Sequence, residues 1–305
     1  MCSSDLGLLD AGVVKAIAAL ATLALLLAVP HLPDGRAVLV YPVLFALGFC
    51  ATGILFTNVL HDPLDLTQTS PLLFLTRWIT HFCAPTFVFL AGTGAFLSTR
   101  RGRTKGELSW FLFSRGLWLV FLEVTIIRWF GWEFKVDMHQ IGIGVIWAIG
   151  WSMVALAALV HLPLGGIATF GIGMILLHNA TDSWKPEMMG SNGPIWQVLH
   201  AGGFVQIVPG YRLGAGYPLI PWIGVMAAGF AFGSMMTREA EERRRFLLRL
   251  GIALCLGFLV VRGFNLYGDP TPWKPQKDLI FTAFSWMHCV KYPPSLCYLL
   301  MTLGP

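Results

Sequence analysis

Charge is what this sequence has least of. Asp, Glu, Lys and Arg together make up 12% of its 305 residues, while apolar residues make up 56%, and the mean hydropathy is +0.68. Soluble domains carry about 25% charged residues, so a water-soluble globular fold is excluded. The net charge of +5 does not point to nucleic acid either. The basic residues sit in short loops, which is how the positive-inside rule distributes them in a membrane protein, and no nucleic-acid partner is expected. Cysteine is sparse and scattered at positions 2, 50, 83, 255, 289 and 297. There is no C-x-x-C pair and no zinc spacing, so these thiols read as small packing residues and no metal is expected. Phosphate-binding loops, dinucleotide glycine fingerprints, H-E-x-x-H and G-x-S-x-G are all missing.

What remains is hydrophobic length. A helix needs about 20 apolar residues to cross a bilayer. Runs of this kind are expected as helices over 13–30, 37–60, 72–98, 108–132, 140–161, 165–179 (a short one), 218–236 and 247–267. A short interfacial helix follows over 279–289, and a ninth membrane helix opens at Lys291 and is cut off by the end of the chain. The fold expected is an all-α, polytopic transmembrane helix bundle of about nine membrane helices. The segment 180–217 reads as a long loop rich in Gly, Pro and Trp. Two basic clusters, Arg100/Arg101/Arg103/Lys105 and Arg238/Arg243/Arg244/Arg245/Arg249, are four crossings apart and therefore share a side, the cytoplasmic one. The lipid bilayer of a bacterial inner membrane is the expected surrounding, with a homodimer as a candidate assembly.

The ionisable groups inside these runs are the candidates for chemistry, because such groups are costly in hydrocarbon and face protein or water. Arg77 and His81 lie one turn apart on one helix face. Pro85 follows and lacks the N–H that would satisfy the carbonyl of His81. His61 stands beside Asp62 and Asp65, where a carboxylate can orient an imidazole as a base. Glu123 and Arg128 share the fourth helix, and His178, Asn179 and Asp182 close the sixth. His200 and Lys291 fall on the same outer side. A plain structural role competes in every case: a satisfied buried histidine, an ion pair, a helix cap, or topogenic charge for the arginine clusters.

Five separated segments then match in order: Thr76–Ser98, Ser114–Thr125, Val145–Met153, Tyr217–Gly233 and Lys291–Pro305. They resemble a bacterial membrane family grouped with the catalytic domain of heparan-α-glucosaminide N-acetyltransferase, over about Leu55 to Pro305. The resemblance implies a transmembrane acyltransferase with acetyl-CoA as co-substrate. The acyl group would pass to an amino sugar or other glycan acceptor on the far face. By this resemblance His61, His81, Asp62 and Glu123 are the catalytic candidates. Arg77, Arg128, His178, Asn179, His200 and Lys291 would bind the acceptor, and Arg100, Arg101, Arg103 and Lys105 the phosphates of the donor.

The first 54 residues depart from that pattern. Family members begin with an Asp-x-x-Arg-Gly helix ending in Asp-His, and here Cys50 and Ala51 occupy that place. The opening Met1 to Leu6 reads as a translated sequencing adapter. A gene fragment is therefore expected: an atypical 1–54 followed by an acyltransferase-like 55–305, truncated at its C-terminus. A transporter or flippase of a polar or lipid-linked substrate, or an inactive fragment, are the alternatives.

Overall fold

A computed structural model of the chain describes residues 64–132 and 139–305. Contacts divide the chain into two units, Met1–Thr69 and Ser70–Pro305. In the described part of the first, Asp65 turns the chain by accepting from the Thr67 N–H at 3.0 Å and its hydroxyl at 2.7 Å.

Ser70 caps helix α1 (Pro71–Ile79), its hydroxyl accepting from the Leu73 N–H, with Pro71 in the first turn where no donor is missed. A 3₁₀ turn, Thr80–Phe82, joins it to α2 (Cys83–Thr99), so that Pro71–Thr99 makes one span. Thr104 and Glu107 form a capping box for α3 (Lys105–Leu122), which runs on as a π-helical segment, Glu123–Trp132. Strand β1 (Gln140–Ile143) precedes α4 (Val145–Leu159), and α5 (Leu164–Leu177) ends in a 3₁₀ turn, His178–Thr181. Strands β2 (Gly203–Val208) and β3 (Tyr211–Ala215) lead into α6 (Leu219–Phe232). Helices α7 (Ala240–Phe264), α8 (Leu279–Met287) and α9 (Leu296–Leu303) complete the order.

Helix α6 is the centre of the bundle. Of its most apolar stretch 56% is buried, against 11% for α7. It packs on α2, α4 and α5. Lipid tails are as apolar as Leu, so helices associate here by close packing of small residues. A side chain on Gly229 would run into the Phe89 backbone, and one on Gly92 into that of Met226. Thr93 spans the resulting contact, donating to the Gly229 carbonyl at 3.0 Å.

Among the described residues five helices are long and apolar enough to cross a membrane, and Val145–Leu159 is a shorter apolar one. The first two expected spans lie outside the described residues, and about nine helices are not established. Three expectations change. The expected helix over 140–161 begins as a strand, because Gly142 and Gly144 interrupt it and residues 140–143 pair in parallel with β3. The 180–217 loop contains an antiparallel hairpin, β2–β3, so the protein is mostly helical with a three-stranded sheet rather than all-α. Its turn is Pro209-Gly210, with Gly210 at φ +86, a conformation glycine adopts at no steric cost. Helix α7 begins at Ala240 instead of 247, its exposed first turns carrying a Glu241–Arg245 pair, with Glu242 paired to Arg238 just before the helix.

The two ends of the bundle differ. At one, Arg100 donates to the Thr237 hydroxyl (3.3 Å) and Lys105 to the carbonyls of His161 and Leu162 (3.2 and 3.4 Å). This brings both basic clusters together. At the other end, the sheet ties the chain before α4 to the chain before α6, and Tyr217 meets Tyr292.

Candidate functional site

His81 sits on the 3₁₀ turn between α1 and α2 and is 2% exposed. Its Nδ1 lies 2.9 Å from the Arg77 carbonyl. A carbonyl can only accept, so Nδ1 carries the proton and Nε2 keeps its lone pair. The His81 carbonyl, left without its helical donor by Pro85, accepts from the Tyr298 hydroxyl at 2.7 Å. Arg77 Nη1 donates to Thr80 Oγ1 at 3.2 Å, and the charges of Lys291 and Arg77 act on the imidazole. Of the sequence-predicted residues, Arg77 and His81 therefore meet directly, and Lys291 lies close enough for its charge to be felt.

A second cluster forms where α5 ends. Thr181 donates to the His178 carbonyl (2.7 Å), so its oxygen accepts from His200 Nε2 (3.0 Å). Asp182 lies 3.4 Å from the same nitrogen. His200 is 2% exposed, and its Nδ1 has no hydrogen-bond partner among the described residues. Asn179 donates to Asp182 (2.7 Å) and accepts from the Leu296 N–H (2.8 Å). The rings of His178 and His200 meet edge to face at 6.2 Å. His178, Asn179 and His200 are therefore brought together, and the segment 296–298 touches both clusters.

Three residues of this end were not foreseen: Tyr217, Tyr292 and Tyr298. The chain has only six tyrosines, and their recurrence in two of the matched segments was the available signal. The Tyr217 and Tyr292 hydroxyls are 3.3 Å apart with rings edge to face. Burial, with Tyr292 beside it, pushes the Tyr217 hydroxyl well above the usual range and keeps it neutral. Trp222 packs on Tyr217 at 5.5 Å and is fully buried, its Nε1 without a partner among the described residues.

Glu123 stands apart. It marks the change from α to π helix and is 3% exposed. Its Oε1 accepts from the Gly144 N–H at 2.9 Å, at the N-terminus of α4, while Oε2 is unpartnered among the described residues. A carboxylate there meets the positive end of the helix dipole. At the basic end the donor-binding candidates are exposed. Arg103 lies 4.4 Å over the Phe111 ring and Lys105 caps the end of α4. A groove of about 540 Å³ opens beside them, lined by Ser109, Trp110, Phe113, Ala157 and His161 among others. His61 and Asp62 lie outside the described residues, as does the side chain of Arg128. No group of three His, Cys, Asp or Glu able to hold a metal occurs among the described residues.

The sequence pattern of the family described as heparan-alpha-glucosaminide N-acetyltransferase, catalytic, matches residues 56–263. No curated protein and no solved structure matches the chain.

Proposed function

The chain belongs to the heparan-alpha-glucosaminide N-acetyltransferase catalytic family, and on that premise we propose that it moves an acetyl group from acetyl-CoA at its basic end to an amine or hydroxyl of a sugar acceptor at the opposite end. An acetyltransferase-type membrane enzyme is what the family describes. The basic end would face the cytoplasm of a bacterial cell, where acetyl-CoA is available. Arg100, Arg101 and Arg103 would meet its phosphates as exposed cations, with Lys105 partly engaged at the end of α4.

The observation that carries this reading is the 2.9 Å approach of His81 Nδ1 to the Arg77 carbonyl. With Nδ1–H committed to the Arg77 carbonyl, Nε2 is the basic nitrogen, held by a buried turn beside the cations Arg77 and Lys291. As a general base it would take the proton from the acceptor's amine or hydroxyl as that atom attacks the thioester carbonyl. The carbon–sulfur bond breaks and CoA leaves as the thiol, taking up a proton. As a nucleophile, Nε2 would itself displace CoA and hold the acetyl group until the acceptor arrives. In both routes Arg77 and Lys291 oppose the negative charge on the carbonyl oxygen. His61 with Asp62 is the second histidine retained as a candidate. His178, Asn179 and His200 would contact the acceptor.

The test is transfer from labelled acetyl-CoA to glucosamine in membranes containing the protein. Transfer that needs both reactants and is lost in the His61→Ala, His81→Ala double variant supports the reading. Undiminished transfer by that variant removes both assignments.

A further inference from the structure

Arg262 is a charge buried in a membrane helix, with its side chain 1% exposed. It lies near the end of α7 and spends its guanidinium on backbone oxygens. Nε donates to the Trp286 carbonyl (3.0 Å), Nη1 to that of Thr271 (2.9 Å), and Nη2 to those of Ser285 (3.2 Å) and His288 (2.8 Å). Ser285 and Trp286 belong to the last turn of α8 and His288 is its C-cap, so these carbonyls have no helical donor. Asp269, its side chain 2% exposed, faces Arg262 Nη1 at 3.5 Å. Its Oδ2 accepts from the Val290 N–H (3.0 Å) and the Ser295 hydroxyl (2.7 Å). The Ser295 N–H in turn closes onto the Val290 carbonyl at 2.9 Å.

One carboxylate oxygen thus holds both ends of the turn 290–295, and the paired guanidinium holds the helix end that feeds it. That turn carries Lys291, whose charge reaches His81, and Tyr292, which meets Tyr217. Its continuation, Leu296 and Tyr298, bonds Asn179 and the His81 carbonyl. Buried ion pairs contribute little net stability compared with apolar packing, and specifying one geometry is their better-attested use.

We propose that Arg262 and Asp269 are positioning residues: a buried clasp that sets the Lys291–Tyr292 turn against His81 and so determines binding of the acceptor. The role at the acceptor rests on the function proposed above; the clasp itself does not. Asp269 and the turn lie beyond the residues matched to the family, 56–263, so the clasp joins the matched segment to the chain that follows it.

Cys289 gives a readout independent of activity. It is 2% exposed between α8 and the turn, and burial, with the Asp269 carboxylate beside it, holds its thiol protonated, well above the ordinary range. Purified full-length protein is treated with a water-soluble maleimide and labelling is read site by site by mass spectrometry. KM for acetyl-CoA and for glucosamine are measured in parallel. In Arg262→Lys, which keeps the charge but cannot make the fork, Cys289 should label at least ten-fold faster and the glucosamine KM should rise about ten-fold, with the acetyl-CoA KM within two-fold of the parent. Asp269→Asn should show the same split of KM values, but its labelling does not count, because the Asp269 carboxylate itself bonds the Cys289 thiol and raises it. If Arg262→Lys does not elute as a folded species, Ser295→Ala, which removes one of the two bonds to Asp269 Oδ2, carries the labelling arm. Unchanged labelling of Cys289 in a folded variant overturns the clasp. Faster labelling with both KM values unchanged, or rising together, overturns the positioning role. If the parent transfers no acetyl group, the labelling arm still decides the clasp, and it is the proposed function that falls.

Discussion

The hydroxyl of Tyr298 donates to the main-chain carbonyl of His81 at 2.7 Å, although 217 residues separate the two in sequence. Pro85 makes that carbonyl available and α9 supplies the donor. The histidine turn, a proline-broken segment of a membrane span, is thereby joined to the last helix. Removing the hydroxyl in Tyr298→Phe would leave a buried carbonyl unpaired, which costs about 1–3 kcal/mol. The expected result is a lower midpoint of thermal unfolding in detergent, with reduced acetyl transfer. An unchanged midpoint would show that water or another donor replaces the hydroxyl.

His81 offers a sharper separation of structure from chemistry. Asn at this position can still donate to the Arg77 carbonyl but has nothing in place of the Nε2 lone pair. His81→Asn is therefore expected to fold normally and to lose about 10²–10⁴-fold in kcat, the range for removal of a general base. Retention of kcat within three-fold would exclude His81 from the reaction.

At the basic end, charge and helix capping can be told apart. Reversing Arg100 and Arg101 to Glu should raise the KM for acetyl-CoA about ten-fold or more. The effect should shrink as salt is raised, because exposed charges are screened over about 10 Å at 0.1 M. Lys105→Met should instead lower stability through the carbonyls of His161 and Leu162, with a smaller effect on KM. Equal KM effects from both variants would mean that Lys105 also meets the donor.

The contact between α2 and α6 has no room for a methyl group. A Cβ on Gly229 would overlap the Phe89 backbone, so Gly229→Ala must move one helix. Overpacking of this kind costs about 1–3 kcal/mol. Loss of monodisperse elution in detergent, or a clear fall in midpoint, is the expected readout. Gly94, with open space around it, should tolerate Ala with no change in the same measurement.

Membrane class, the positions of most described spans and the gathering of the two basic clusters at one end are legible from the residues alone. These depend on local quantities, namely runs of about 20 apolar residues and the counting of charges between them. The family is legible there too, and its match covers residues 56–263, beginning near the expected Leu55 and ending short of the expected Pro305. Arg77 and His81 were legible because helical spacing alone puts them on one face. The sheet was not: Gln140–Ile143 and Tyr211–Ala215 are 68 residues apart at their nearest ends and pair across α4, α5 and the intervening chain. Glu123 reads as a partner for an arginine until the structure places Gly144 on it. The buried arrangement of Arg262, Asp269, Lys291 and Tyr298 was decided by tertiary structure alone. Each polar group there finds its partner on another segment, and hydropathy carries no information about which distant carbonyl a buried donor will meet.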